Sequence, residues 1–340
     1  MNKQLPTIQD VARAANVSTA TVSRALSYPE RVSEETRKQV TEAIEQTGYR
    51  LNHTARNLRR QQTGAIVALL PNIGNPFFSR ILAGIESAAA RAGYSVLISD
   101  TRAPHAHDSL LTDYLDHSRA DGLIILDASL PSALLRDTSR RRPPIVYCCE
   151  WVDDFASPSV RFDNEGGAAL AVRHLAELGH RRIGHISGPA GNVLTVARLA
   201  GVRRALAELG LPERSEWFFD GDFELASGVA AARAWLAMRE RPTGMTAASD
   251  VMACGFIAEL HRAGVSTPAD ISVVGFDDID IAAQFIPGLT TIRQPRLEIG
   301  ERAAEMLLGL IRAPGEAMDP TPRMLKAELT LRASTAAPSS

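Results

Sequence analysis

The chain is poor in several things, and each shortage removes a class of function. Three cysteines in 340 residues (Cys148, Cys149 and Cys254) cannot build a disulfide framework, and no C-x-x-C pair offers a redox or zinc motif. The adjacent Cys148–Cys149 pair reads as part of a buried strand rather than a redox site. Apolar runs are short: residues 65–70, the longest near the start, fall far below the roughly 20 residues of a membrane span. The opening MNKQLPTIQD lacks the apolar core of a secretory signal, so a cytoplasmic protein is expected. G-x-S-x-G, H-E-x-x-H, P-loop and G-x-G-x-x-G patterns are all missing, which argues against an enzyme. His105 and His107 form an H-x-H with no third ligand, and Asp277–Asp278 pair two carboxylates with no nucleophile beside them. No metal and no cofactor is expected.

Excess charge is also missing from the whole, with a formal total of −2, but not from its parts. Residues 1–62 hold ten Lys/Arg against six Asp/Glu, and the remainder holds 27 against 33. A basic head on an acidic body fits a nucleic-acid contact confined to one end. The length predicts two or three domains, and 45% hydrophobic with 22% charged residues is the composition of a globular protein.

What is present begins at residues 7–26, TIQDVARAANVSTATVSRAL. Thr7 and Asp10 have the spacing of a capping box, Asn16 suits a left-handed turn, and Ser18 caps a second helix running to about Leu26. A third helix starts after Ser33, with Glu34 and Glu35 favouring its dipole, and ends at Gly48. The expected core of this head is Ile8, Val11, Val17, Val22, Leu26, Val40 and Ile44. Two helices around a tight turn are the pattern of a helix-turn-helix, whose second helix enters the DNA major groove. Residues 51–60 can make two helical turns, too short to fold without a partner helix or DNA. Leu58 has no core of its own there. Spacing alone favours its packing on the body over insertion between bases.

From residue 65 strands and helices alternate. Apolar runs at 65–70, 94–99, 122–127, 144–149, 182–187, 243–249 and 271–276 are separated by helical patterns at 77–91, 166–178, 197–209, 226–239 and 251–263. Such alternation predicts parallel sheets covered on both faces, and the length favours two sheets with a cleft between them. Ligands in open α/β sheets lie beyond the carboxyl ends of the strands. That places residues 71–78, Glu150, Trp151, 188–191 with Arg198, Asp250, Asp277 and Asp278 at the cleft. The mixture of aromatics, amides, carboxylates and one Arg suits a polar ring or sugar.

The segments DVARAANVSTATVSRAL (10–26), NPFF (75–78), ARLAGV (197–202), ASDVMA (248–253), VGFDDIDIA (274–282) and LTTIRQP (289–295) resemble the LacI/GalR family of transcriptional repressors. The resemblance runs from residue 7 to about 333. Within the family, GIE (84–86), GDF (221–223) and QPRLEIG (294–300) resemble the subgroup of cytidine repressors. The implied fold is α/β: a three-helix helix-turn-helix head at 1–50, a hinge helix or linker at 51–63, and a periplasmic-binding-protein type I core. That core has two doubly wound parallel-sheet subdomains, 64–162 with 293–323 and 163–292 with 324–333. The tail 334–340 is expected to be disordered on composition.

The resemblance also implies roles. Thr19, Ala20 and Arg24 occupy base-reading positions, and Ser18, Thr21, Ser23, Ser33, Thr36, Tyr49 and Asn52 phosphate-contacting ones. Leu58 becomes the wedge at the central base step, with Ala55 beside it in the hinge, which reverses the reading from spacing. Asn75, Phe77, Phe78, Arg198, Phe223, Ser249, Asp277 and Gln294 match effector-pocket positions, joined by Glu150 from the strand-end reading. Arg198 and Asp277 would hold hydroxyls while Phe77, Phe78 and Phe223 sandwich a ring. Ser249 stands where Asn is common, and Asn192 and Leu194 replace polar residues of purine-binding members, so a nucleoside or sugar is expected rather than a purine base.

The implied partners are double-stranded operator DNA, that small effector and a second copy of the chain. A second transcription factor is a further candidate, and no membrane is involved. Dimer contacts are expected at the helices beginning near Phe78 and Val251 and at the loop after Asp278, and the favoured response is induction. A sugar-responsive regulator of catabolic genes is the near alternative. A solute-binding protein is the distant one, and the basic head counts against it.

Overall fold

The computed structural model describes residues 6–49, 62–102, 114, 119–130, 143–153, 157–314 and 319–339. The expectations for Asn52, Ala55, Leu58, His105 and His107 lie outside them. The chain divides into two compact units, Met1–Gln62 and Thr63–Ser340.

The head contains α1 (Ile8–Ala14), α2 (Thr19–Ser27) and α3 (Glu34–Thr47). Local chemistry sets each boundary. Asp10 accepts the backbone N–H and the hydroxyl of Thr7 at 2.9 and 2.8 Å. Those bonds hold its carboxyl below the usual range. Asn16 takes φ 54° in the turn, and Gly48 takes φ 66° after α3. Val11, Val22 and Val40 are buried at the centre, with Ala12, Ala15, Ala25 and Ala43 around them. Ile8, Val17, Leu26, Ile44 and Tyr49 pack on that core while partly exposed.

The body has two six-stranded sheets. The first contains β1 (Ala65–Leu70), β2 (Ser95–Asp100), β3 (Gly122–Ile125), β4 (Ile145–Cys148), β5 (Ser159–Phe162) and β11 (Arg323–Leu325), in the order β11-β5-β4-β3-β1-β2, all parallel. The second contains β6 (Ile183–Ile186), β7 (Phe218–Phe219), β8 (Gly244–Ala247), β9 (Ser272–Asp277), β10 (Thr290–Arg293) and β12 (Glu328–Thr330), in the order β12-β10-β9-β8-β6-β7, with only β12 antiparallel. Helices α4 (Phe77–Arg91) and α9 (Arg296–Arg312) belong to the first lobe; α5 (Asn164–Glu177), α6 (Val193–Glu208), α7 (Leu225–Ala237) and α8 (Asp250–Arg262) belong to the second.

Close helix contact explains two glycines. A Cβ on Gly84 of α4 would overlap the carbonyl of Leu297, and one on Gly300 of α9 would overlap that of Ile81. The two backbones therefore touch at reciprocal positions, over a core that includes Ile81, Ile85, Ile299 and Leu307.

Three expectations need correction. Register moves the lobe boundaries: Arg293 still pairs with Asp277 in the second sheet, and Met324 and Leu325 pair with Arg161 and Phe162 in the first. The 94–99 run is not covered on both faces; β2 is an edge strand with Leu97 42% and Ile98 45% exposed. The tail is ordered through residue 339. Ser334 is fully buried; it accepts from the N–H of Thr290 and donates to the carbonyl of Val273. His180 and Ser272 bind Ala336. Small side chains let this backbone lie against β9, and hydrogen bonds supply what apolar burial does not.

Candidate functional site

On the head, α2 and α3 begin with the same device. Ser18 accepts from the N–H of Thr21 at 3.0 Å and Ser33 from that of Thr36 at 3.3 Å, and each Ser–Thr hydroxyl pair lies 2.8 Å apart. Thr19, Ala20 and Arg24 are exposed on α2, and Ser23 is half-buried. These three and Ser23, with Ile8, Gln9, Tyr28 and Arg31, line one shallow depression. Arg31 lies over the Tyr28 ring at 4.9 Å. Tyr49 is half-buried against the head core. An exposed helix face flanked by helix N-termini and arginines is suited to a polyanion.

In the body, the strand ends converge on a cleft of about 580 Å³, part of it open to solvent. Eight of the nine expected residues line it: Asn75, Phe77, Phe78, Glu150, Arg198, Phe223, Ser249 and Asp277. Gln294 does not. It sits behind the cleft, donating to Asp277 Oδ1 at 2.7 Å. Asn75 follows β1 and accepts the N–H of Phe77, fixing the start of α4. Phe77 and Phe78 meet edge to face at 5.1 Å. Glu150 follows β4 and accepts from the Ala128 N–H and from Asn192, both at 2.7 Å. Burial pushes its carboxyl up despite those bonds.

Arg198 is the buried centre. Its Nε donates to Asn164 Oδ1 at 2.9 Å, and Nη1 donates to the Ala248 carbonyl. Its guanidinium stacks 3.9 Å from the Phe276 ring centre and 5.6 Å from that of Phe223. Asp277 lies 3.8 Å away. Burial raises Asp277 to about 6, although Arg198, Arg296 and Gln294 all favour its charged form. Asp278 faces elsewhere, its carboxylate accepting from Arg332 at 2.6 Å. Asp277 and Asp278 therefore do not act as a carboxylate pair. Asp250 is fully buried behind the cleft, bound by Thr291 and the Ile279 N–H.

Hydrogen bonds cross the cleft between lobes. Asn72 donates to Glu224 at 2.7 Å, Asn75 to the Phe223 carbonyl at 3.4 Å, and Asn192 to Glu150 at 2.7 Å. Backbone strain gathers at the same place: Cys149, Phe223 and Asp277 line the cleft with φ of 71°, 68° and 121°. Each such residue costs about 1–3 kcal/mol, and strain of this kind concentrates at ligand sites.

The sequence reading missed Arg102, Leu126, Asp222 and Glu224 as lining residues, and named Asn72 only within a loop. Arg102 follows β2, so the strand-end rule could have found it. Asp222 and Glu224 follow the two-residue β7, which leaves no readable pattern.

Residues 7–52 match the model of the bacterial regulatory proteins of the lacI family, and residues 172–335 match that of a periplasmic binding protein-like domain. The HTH-type transcriptional repressor CytR of Escherichia coli (strain K12) is 39% identical over 331 residues, covering 97% of this chain and 96% of that protein. Among solved structures, the lac repressor dimer bound to operator and the anti-inducer ONPF superposes with a TM-score of 0.82 at 31% identity, over 98% of this chain and all of that one. The transcriptional regulator CelR in complex with cellobiose gives 0.74 at 31% identity, over 97% and 99% of the two chains. No described helix is long and apolar enough to cross a membrane.

Proposed function

Because this chain belongs to the LacI family of transcriptional repressors, we propose that it is a ligand-switched repressor working as a dimer on a pseudo-palindromic operator. Thr19, Ala20 and Arg24 read base edges. Ser18, Thr21, Ser23, Ser33, Thr36, Tyr49 and Asn52 contact phosphates and set register. Two hinges, each with Ala55 and Leu58, fold together on the DNA, and Leu58 opens the central base step. A nucleoside or sugar occupies the body cleft. The relatives support both ends of this reading: one solved neighbour is an operator complex and another a cellobiose complex.

The observation that carries it is the cleft itself. Arg198 and Asp277 offer a buried donor and acceptor to hydroxyls, and Phe77 and Phe223 line the same space with aromatic rings. Bonds across the cleft make lobe closure depend on what sits inside it. A ligand shifts such an equilibrium only by its differential affinity for the two states. Induction follows when ligand favours the state with weaker DNA binding. For the dimer, the exposed Leu97 and Ile98 on β2, with Ile73 and Ile281, offer apolar surface that a second copy would cover.

The test is selection of random duplexes with the full chain, followed by binding with and without ligand. The expected product is an inverted repeat whose affinity falls on adding a nucleoside or sugar that also raises the melting temperature. Selection returning no inverted repeat would sink the reading. Leu58→Ala should weaken operator binding by more than twofold.

A further inference from the structure

Resting on the reading of this cleft as an effector site, we infer that it selects an unphosphorylated ligand, with Glu150, Asp222 and Glu224 turning away phosphate monoesters of the same nucleosides or sugars. Three independent features converge on this.

The first is charge. Glu150, Asp222, Glu224 and Asp277 line the cleft against Arg102 and Arg198. Arg198 already donates to Asn164 and to the Ala248 carbonyl, and Asp277 stands 3.8 Å from it. A phosphate brings close to two negative charges at neutral pH, into a space where carboxylates outnumber guanidinium groups.

The second is the state of the helix amides. Four helices begin at the cleft, and a helix N-terminus is the usual seat of a phosphate. At three of them a side chain already takes one or two of the free N–H groups, and the fourth, α7, opens behind the carboxylates of Asp222 and Glu224. Asn75 takes the N–H of Phe77 at the start of α4. Asn192 takes those of Leu194 and Thr195 at the start of α6. Ser249 takes that of Met252 at the start of α8. The N–H of Glu224 is likewise bound, by Asp222. A phosphate would have to displace these side chains to reach the N–H groups they hold.

The third is the polarity of what is on offer. Glu150 accepts from the Ala128 N–H and from Asn192, and Glu224 from Asn72, while an ionised carboxylate accepts at about four lone-pair sites. The cleft edge is therefore rich in acceptors, which suit the hydroxyls and N–H groups of a neutral ring.

The test is calorimetric titration of the full chain with cytidine, uridine, adenosine, ribose and glucose. Each is paired with its monophosphate: the 5′-phosphate for the nucleosides and ribose, and the 6-phosphate for glucose. At least one parent compound should bind, with its phosphate weaker by tenfold or more. Asp222→Asn combined with Glu224→Gln should narrow that ratio at least threefold, the phosphate gaining more affinity than the parent compound gains or loses. A phosphate that binds as tightly as its parent, or better, overturns the inference and leaves the effector reading standing. So does a ratio that the double variant does not move. If neither member of any pair binds, the effector reading itself falls and takes the inference with it.

Discussion

Arg198 Nη1 and Asp277 Oδ1 stand 3.8 Å apart at the base of the cleft, with 3% and 4% of their side chains exposed. That separation is too long for a hydrogen bond. Burial opposes the charged form of both groups, lowering Arg198 and raising Asp277. The pair is thus placed together without being joined, and each keeps polar capacity for a ligand hydroxyl. It sits where α6 and the end of β9 meet, so any shift of either element is felt in the cleft.

The raised Asp277 makes stability depend on pH. Its value in the fold is about 6, against an ordinary 3.8, with Asp250 also raised and sharing the titration. Between those values the folded state binds the proton more tightly than the unfolded state does. The resulting stabilisation is fully present below about pH 3.8 and is lost as pH rises through about 6. Asp277→Asn removes this titration. Urea denaturation should show the wild type losing about 2 kcal/mol relative to the variant between pH 4 and pH 7, since each pKa unit is worth about 1.4 kcal/mol and part of the effect is already lost at pH 4. A difference constant across that range would rule out the raised value.

The contact between α4 and α9 predicts opposite outcomes for glycines in one helix. Gly300→Ala would overlap the Ile81 carbonyl, and Gly84→Ala the Leu297 carbonyl. Forcing the helices apart should cost about 1–3 kcal/mol in each case. Gly309, also in α9, has nothing within 4 Å of where a Cβ would lie. Gly309→Ala should therefore stabilise by about 0.5–1 kcal/mol through helix propensity. Thermal melts of the three variants check the order, and equal effects would show that the helices do not touch at these glycines.

These glycines mark where sequence reading stops. The boundaries at Thr7, Ser18, Ser33 and Gly48 were legible because each is set by residues within a turn of it. Arg198 and Asp277 were placed at the cleft by the strand-end rule, before any geometry. Gly84 and Gly300 lie 216 positions apart, and nothing local to either announces the other. The strained backbones at Cys149, Phe223 and Asp277 are equally silent, since none is a glycine. The tail was misread for the same reason: ASTAAPSS has the composition of a free end, and its bonds go to Val273, Ser272 and His180.

Those distant bonds make the tail a stabilising element. Ser334→Ala leaves the Thr290 N–H, buried in β10, without its acceptor, and removes the donor to the Val273 carbonyl. An unsatisfied buried group costs about 1–3 kcal/mol, so the variant should melt measurably lower. Removal of residues 334–340 should cost more, because it also frees Ala336 from Ser272 and His180. A truncated chain with unchanged stability would show that these contacts contribute nothing.

On the head, base reading and phosphate contact should separate experimentally. Arg24 is exposed on α2 beside Ala20 and Ser23. Arg24→Ala should cost about 1–3 kcal/mol at one position of the selected operator, and should relax the preference there. Thr36→Ala should weaken all duplexes nearly alike, since a phosphate contact carries no base information. Ser18→Ala should additionally lower the melting temperature, because Ser18 caps α2 through the Thr21 N–H. Operator affinity should fall steeply and linearly with salt on logarithmic axes. Should Arg24→Ala weaken every duplex equally, Arg24 is a phosphate contact, and base reading must rest on Thr19 and Ala20 alone.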